Sequence, residues 1–215
     1  MRDSLHEIRA LIFDFGGVLA RTESQEPREQ LARQVGLSRQ ELYDAVFNCQ
    51  ESRLAQLGRM SSEDRWQRVA QVLRLHSPEE LLAFRHEFFA GDVLDTELVS
   101  YIRRMRGRYK TALLSNASAE FAEILHNKLG LGDCFDVIII SGLVGMMKPD
   151  PAIYRLTLQR LGVAPHEAVF VDDMRENVEG ATAVGMHAIR FTTRETVLTE
   201  LNALLGQSAE MPGPH

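Results

Sequence analysis

The chain has 215 residues, 45% hydrophobic and 25% charged, and its 24 basic and 30 acidic residues leave a formal charge of −6. A chain of this length buries a substantial core without disulfide or metal staples, and the lack of any basic block argues against a nucleic-acid partner. The two cysteines, Cys49 and Cys134, match no ligand spacing and suggest a reducing compartment. No apolar run reaches the roughly 18 residues of a membrane span, and the opening MRDSLHEIRALIFDF does not read as a signal peptide. The expectation is a cytoplasmic protein with no membrane partner; nothing in the pattern specifies an oligomeric state.

The first predicted strand is Arg9–Asp14 (RALIFD). From about Thr22 to Asp92 no strand is predicted, and the stretch reads as four or five helices. Two of their starts carry capping boxes, Ser38-Arg39-Gln40-Glu41 and Ser77-Pro78-Glu79-Glu80. Ser62–His76 sets Trp66, Val69, Val72 and Leu73 at helical spacing. Four more strands follow: Lys110–Ser115, Asp136–Ser141, Ala168–Asp172 and His187–Phe191. Their continuous apolar character suits a parallel sheet covered on both faces, and the helix-like segments between them give a βαβ rhythm. Asp150-Pro151 opens one of these helices, an acid at the cap and proline at the first position. The fold class is therefore α/β, a Rossmann-like doubly wound parallel sheet of five main strands with a helical insertion. The expected division is 1–21 and 93–205 for the sheet domain and 22–92 for the insertion, with 206–215 having the composition of a disordered end.

Four segments at or just beyond strand ends carry the chemistry, and ligands of open parallel sheets bind at that edge. Asp14-Phe15-Gly16-Gly17 brings a carboxylate out of an apolar strand into a pair of glycines that admit close backbone approach. At Ser115-Asn116-Ala117-Ser118 a strand gives way to a helix, so a hydroxyl and free N–H groups can meet an anion. In Met147-Lys148-Pro149-Asp150-Pro151 two prolines restrict the loop that presents Lys148, a lysine that read alone is a solvated one. Asp172-Asp173, with Asn177 four residues on, places adjacent carboxylates at a strand end. They repel unless a cation lies between them, and a hard divalent ion with oxygen ligands fits that need. Cys49 has no partner acid or base and reads as a small core residue.

In that order, LIFDFGGVL, ALLSNAS, MMKPDPAIY and VFVDDMRENVEGA resemble the haloacid dehalogenase superfamily. The closest likeness is to its phosphatases with a helical cap after the first strand, including the sugar-phosphate branch. The resemblance runs from Leu11 to Phe191. It implies a phosphatase acting on a small phosphate ester, with Asp14 as the nucleophile that forms an aspartyl-phosphate. It also implies Mg²⁺ held by Asp14, the backbone carbonyl of Gly16 and Asp173, with Asp172 orienting these ligands and Asn177 positioning the acidic loop or a ligand water. Ser115 and the N–H of Asn116 would grip phosphoryl oxygens, and Lys148 would offset the charge of Asp14 and phosphate.

One position departs from the pattern. The family's phosphatases usually carry a second aspartate, the acid for the leaving group, where this chain has Gly16. Good leaving groups need less protonation, so an anomeric sugar phosphate is the expected kind of substrate. Two other readings stand beside this one. A metal-free 2-haloacid dehalogenase would want tyrosine at Gly16 and no need of the paired acids. A non-catalytic module for phosphorylated ligands would need Ser115 and Lys148 but not Asp14. Arg21, Glu23, Arg53, Arg59 and Trp66 are possible substrate contacts in the cap.

Overall fold

The computed structural model describes residues 7–206. Strand β1 (Ala10–Phe13) is followed by β2 (Ala20–Thr22) and five helices: α1 (Glu26–Gln34), α2 (Arg39–Phe47), α3 (Gln50–Gln56), α4 (Ser62–Leu73) and α5 (Pro78–Phe88). The chain returns through β3 (Asp92–Leu94) and α6 (Thr96–Met105) to β4 (Lys110–Ser115). A short α7 (Phe121–Glu123) runs into a π turn at Ile124–Lys128, then come β5 (Val137–Ile140), α8 (Ser141–Val144) and α9 (Pro151–Leu161). The last elements are β6 (Ala168–Asp172), α10 (Arg175–Ala183), β7 (His187–Arg190) and α11 (Arg194–Leu204).

The five predicted strands form one all-parallel sheet in the order β5-β4-β1-β6-β7. Both faces are covered, as the unbroken apolar runs require. Leu11, Phe13, Leu113, Val169 and Val171 face one layer, where Leu98 and Ile102 of α6 and Val197 and Leu201 of α11 pack. Ala10, Ile12, Ala112, Leu114 and Phe170 face the other, closed by Ile153, Tyr154 and Leu158 of α9 and Ala181 of α10. Asp150 caps α9 as expected, accepting from the Ala152 N–H at 2.8 Å. The tail beyond Gly206, expected to be disordered, lies outside the described residues.

The cap has a core of its own, built from Leu31, Leu42, Val46, Trp66, Val69, Leu73, Phe84 and Phe88 among others. The capping box at Ser38 closes in both directions, with Glu41 N–H donating to Ser38 Oγ and Ser38 N–H donating to Glu41. Trp66 is buried, with the guanidiniums of Arg65 and Arg85 at 4.4 Å and 4.9 Å from its ring. Val72 departs from expectation: Trp66, Val69, Ala70 and Leu73 fill the buried stripe of α4, and Val72, about 100° of helix rotation from Leu73, faces solvent.

A second difference lies at the junction. Thr22 ends β2 and Asp92 opens β3, so the expected strandless stretch begins and ends inside a two-stranded antiparallel ribbon pairing Ala20–Thr22 with Asp92–Leu94. Strands of three residues are too short to leave a periodic signal. Arg28 locks the ribbon to the cap, contacting both Asp92 oxygens at 2.7 and 2.8 Å and donating to the Phe88 carbonyl at 3.0 Å. On the sheet side, buried Asp95 receives Arg21 at 2.8 Å and Arg194 at 3.1 Å.

Candidate active site

Strand β1 lies between β4 and β6, where the sheet reverses its direction of winding, and the carboxyl ends of these strands form the crevice expected at such a point. Asp14 follows β1 directly, its N–H donating to the Val171 carbonyl at 2.9 Å. Ser115 closes β4 and Asp172 closes β6. The topology thus brings Asp14 together with residues a hundred or more positions further along the chain.

Lys148 joins them from the loop before α9. Its Nζ lies 2.8 Å from Asp14 Oδ1 and 2.6 Å from Asp172 Oδ2, and its side chain is 0% exposed. The solvated lysine suggested by the local sequence is therefore fully buried, because two carboxylates meet it inside the fold. Asp172 is saturated with donors: beside Lys148 it accepts from the Met174 N–H at 2.8 Å and from Asn177 Nδ2 at 3.0 and 3.1 Å. Asn177, in the first turn of α10, thus holds Asp172 rather than Asp173.

Asp173 is partly exposed to the crevice and has no ion-pair partner among the described residues. Its carboxylate lies directly over Gly17, where a Cβ would come within 2.2 Å of Asp173 Oδ2 and where φ is +77°. Gly17 is thus doubly required, for conformation and for space. Gly16 is not: its φ lies outside the left-handed region and a Cβ there would meet nothing within 4 Å.

The charges are strongly interdependent. Burial pushes the Asp14 carboxyl up to about 7, against the pull of Lys148 and with the help of the Asp172 carboxylate. Burial works to lower the Lys148 ammonium, but Asp14 and Asp172 outweigh it and hold it above its ordinary value. Asp173 is raised by burial and by the neighbouring Asp172. One cation among three acids leaves the cluster short of positive charge. Carboxylate oxygens of Asp14, Asp172 and Asp173 lie within 4.8 Å of one another, so the donor set is all hard oxygen and suits a divalent cation such as Mg²⁺.

The segment after β4 corrects one expectation. No helix starts at Ser115–Ser118; residues 116–120 form a loop, and α7 lasts only three residues before widening into the π turn. The buried Ser141 hydroxyl fixes this loop, accepting from the Ala117 N–H at 3.0 Å and donating to the Ala117 carbonyl at 3.1 Å. Any anion met here therefore meets loop N–H groups and the Ser115 hydroxyl, not a helix dipole. Ser115 Oγ has no hydrogen-bond partner among the described residues, and both Ser115 and Asn116 line the crevice.

The crevice opens into a cavity of about 1630 Å³ between sheet and cap. Of the cap candidates, Arg21, Arg53 and Arg59 line it; Glu23 and Trp66 do not. Cys49 is not a core residue: half-buried at the cavity wall, its Sγ caps α3 by accepting from the Ser52 N–H. The sequence reading missed an aromatic wall of Tyr43, Phe47 and Phe89, with Tyr43 and Phe47 centroids 4.9 Å apart. Spacing i, i+4 on α2 was the available signal, and it is the same signal that a core-facing stripe gives.

A sequence profile described as haloacid dehalogenase-like hydrolase matches residues 8–185. Mouse acyl-CoA dehydrogenase family member 10 is 49% identical over 72 residues, 34% of this chain, and the match spans only 7% of that protein. Phosphatase MT3486 of Mycobacterium tuberculosis is 29% identical over 216 residues, covering 96% of this chain and 99% of the relative. Among solved structures, a haloacid dehalogenase family enzyme of Bacteroides thetaiotaomicron, in complex with magnesium and inorganic phosphate, superposes with a TM-score of 0.71. It shares 19% identity and covers 87% of this chain and 96% of its own. With the profile spanning most of the chain, over a five-stranded sheet and cap of matching architecture, the protein belongs to the haloacid dehalogenase-like hydrolase family.

Proposed function

We propose that the protein is a cytoplasmic Mg²⁺-dependent phosphatase of small phosphate monoesters, with residues 22–92 serving as the cap over its active site. The observation that carries this reading is the buried arrangement of Asp14, Lys148 and Asp172 at the strand ends, with Asp173 left open beside them. The name of the full-length mycobacterial relative supports it, as does the magnesium and phosphate bound by the structural neighbour.

Asp14 attacks phosphorus through one carboxylate oxygen; the new O–P bond forms as the ester O–P bond breaks, and the leaving oxygen takes its proton from solvent. Water then attacks the aspartyl-phosphate, releasing inorganic phosphate and restoring Asp14. Lys148 favours the ionised form of Asp14 against the effect of burial and offsets the charge that develops on the phosphoryl group. Ser115 and the Asn116 N–H hold the remaining phosphoryl oxygens. Asp172, fixed by Asn177 and the Met174 N–H, holds Lys148 in place. Asp14, the Gly16 carbonyl and Asp173 would hold Mg²⁺, which when bound neutralises carboxylate and phosphate and so eases their approach.

With Gly16 in place of an acid, substrates with good leaving groups are favoured, and sugar 1-phosphates are the first class to try. The test is phosphate release from sugar phosphates, nucleotides and p-nitrophenyl phosphate, with Mg²⁺ and with chelator, beside halide release from 2-haloacids. Metal-dependent phosphate release that is lost in Asp14→Asn is the expected result. Metal-independent halide release without phosphatase activity would reverse the assignment.

A further inference from the structure

The cavity holds more than a phosphate needs. Ligand pockets usually run to roughly 300–1,000 Å³, and this one, at about 1630 Å³, continues well past the acidic cluster into the cap. Its cap side is chemically divided. Helix α2 and the end of α5 contribute the rings of Tyr43, Phe47 and Phe89, with Phe47 and Phe89 centroids 6.2 Å apart. Helix α3 contributes Gln50, Arg53 and Gln56, spaced three apart and therefore on one face, and all three line the cavity.

The arginines differ in a telling way. Arg21 and Arg28 also line the cavity, but each is committed to an acid, Asp95 and Asp92 respectively. Arg53 and Arg59 have no carboxylate or other side-chain partner among the described residues. Among the described residues of the cap, the one carboxylate that lines the cavity is that of Asp92, and Arg28 already holds it. The cap side therefore carries two uncompensated guanidiniums across from a cluster of acids.

The position of α3 is also fixed. Gly58, just beyond it, lies against the sheet domain so closely that a Cβ would come within 2.2 Å of the Gly142 carbonyl oxygen. Arg53 is thus carried on a helix whose end is seated against α8 of the sheet domain.

Building on the phosphatase reading, we infer that the leaving group carries a ring and a second anionic group, the ring packing on Tyr43, Phe47 and Phe89 and the anion held by Arg53 with Arg59 nearby. A guanidinium binds carboxylate or phosphate through paired, charge-assisted hydrogen bonds. It gains most where no protein acid competes for it, and an aromatic wall suits the flat face of a ring. Arg53 is in this account a specificity residue; it takes no part in bond breaking.

The test uses three phenyl phosphates whose ring bears, on a two-methylene tether, a carboxylate, a carboxamide or a second phosphate. The tether leaves the reacting phenol alike in all three. Affinity is measured calorimetrically with Asp14→Asn protein in Mg²⁺, and kcat and KM with the wild type. The carboxylate or the phosphate should bind at least tenfold more tightly than the carboxamide, the gain appearing in KM, and the better of the two names the anion. Arg53→Gln should reduce the preference to under twofold and Arg53→Lys should retain part of it. Arg68→Gln, on the solvent side of α4, should leave it intact. Equal binding of all three, or a preference that survives Arg53→Gln, overturns the inference. A preference in the binding assay with no phosphate released from any ester overturns the phosphatase reading and leaves the anion site standing.

Discussion

The side chain of Asn116 closes a pair of hydrogen bonds on the backbone of Lys148: Oδ1 accepts from the Lys148 N–H at 2.9 Å, and Nδ2 donates to the Lys148 carbonyl at 3.0 Å. The end of β4 thereby holds the loop that delivers the buried ammonium. Asn116→Ala removes both bonds, and Asn116→Asp turns the donor facing the carbonyl into a second acceptor. Either change should lower kcat by about 10- to 100-fold, the scale of a side chain misplaced by an ångström, while the protein stays folded. Because Asn116 acts here through Lys148, its loss should be much smaller in a Lys148→Ala background. A double-mutant cycle on kcat measures this, and additive losses would assign Asn116 a separate role.

Asp172 and Asp173 should separate stability from metal response. Asp172 is fully buried on Lys148, and breaking a buried pair of this kind typically costs about 3–5 kcal/mol, so Asp172→Asn should lower Tm markedly. Asp173 is held above its ordinary value by burial and by Asp172, which means its charge is unfavourable in the folded protein. Asp173→Asn should therefore raise Tm slightly in chelator. A ligand that binds only the native state raises stability with its concentration, so Mg²⁺ should raise the wild-type Tm and have much less effect on Asp173→Asn. Thermal melts with and without Mg²⁺ check both; a larger loss of the Mg²⁺ effect in Asp172→Asn would exchange the two roles.

The adjacent glycines should respond oppositely to substitution. Gly17→Ala forces a Cβ into the Asp173 carboxylate at a left-handed φ and should destabilise the protein by more than the roughly 1 kcal/mol of an ordinary glycine change. Gly16→Asp has open space and an ordinary φ, so it should fold. If the leaving oxygen departs largely unprotonated in the wild type, rates should fall steeply as leaving-group pKa rises. The new acid should flatten that dependence, helping alkyl phosphates most, since a positioned acid is worth about 10²–10⁴ in rate. Similar wild-type rates for alkyl and aryl phosphates would mean that another group already supplies the proton.

Asp95 gives the pH prediction. Burial pushes its carboxyl up, but the Leu98 N–H and the guanidiniums of Arg21 and Arg194 outweigh burial and hold it below the ordinary carboxylate value. A depressed pKa stabilises the fold above the unfolded-state value, and that contribution is lost as pH falls through the folded-state value. Asp95→Asn should therefore be destabilised at pH 7 by about 2 kcal/mol, the scale of hydrogen bonds to a charged group. The gap from wild type should narrow below about pH 4, the unperturbed aspartate value. Urea unfolding of both proteins at pH 7 and pH 3 measures it; a gap independent of pH would remove the charge from the explanation.

The sheet was legible because each strand is a continuous apolar run, and burial on both faces leaves that local mark. Asp14, Lys148 and Asp172 could be selected because they stand at strand ends, but their mutual contacts depend on strand order, which no single segment encodes. The Asn116 side chain escaped notice because its partner is backbone 32 residues away. The aromatic wall escaped because Tyr43 and Phe47 follow the same helical spacing as residues that fill a core. The helix expected at Ser115–Ser118 does not start there, because Ser141, from the next strand end, binds the backbone N–H and carbonyl of Ala117 and holds the segment as a loop.

Trp66 is the only tryptophan in the chain, and its position gives the protein an optical property. The indole is buried in the cap and meets the ring of Phe89 edge-on at 6.1 Å, while Phe89 itself lines the cavity. Tryptophan emission therefore reports on the cap alone, and the sheet domain is silent at that wavelength. Comparing fluorescence with circular dichroism during unfolding reads cap against whole. Occupation of the cavity reaches the fluorophore through one intervening ring, so ligand titrations can be followed without a label.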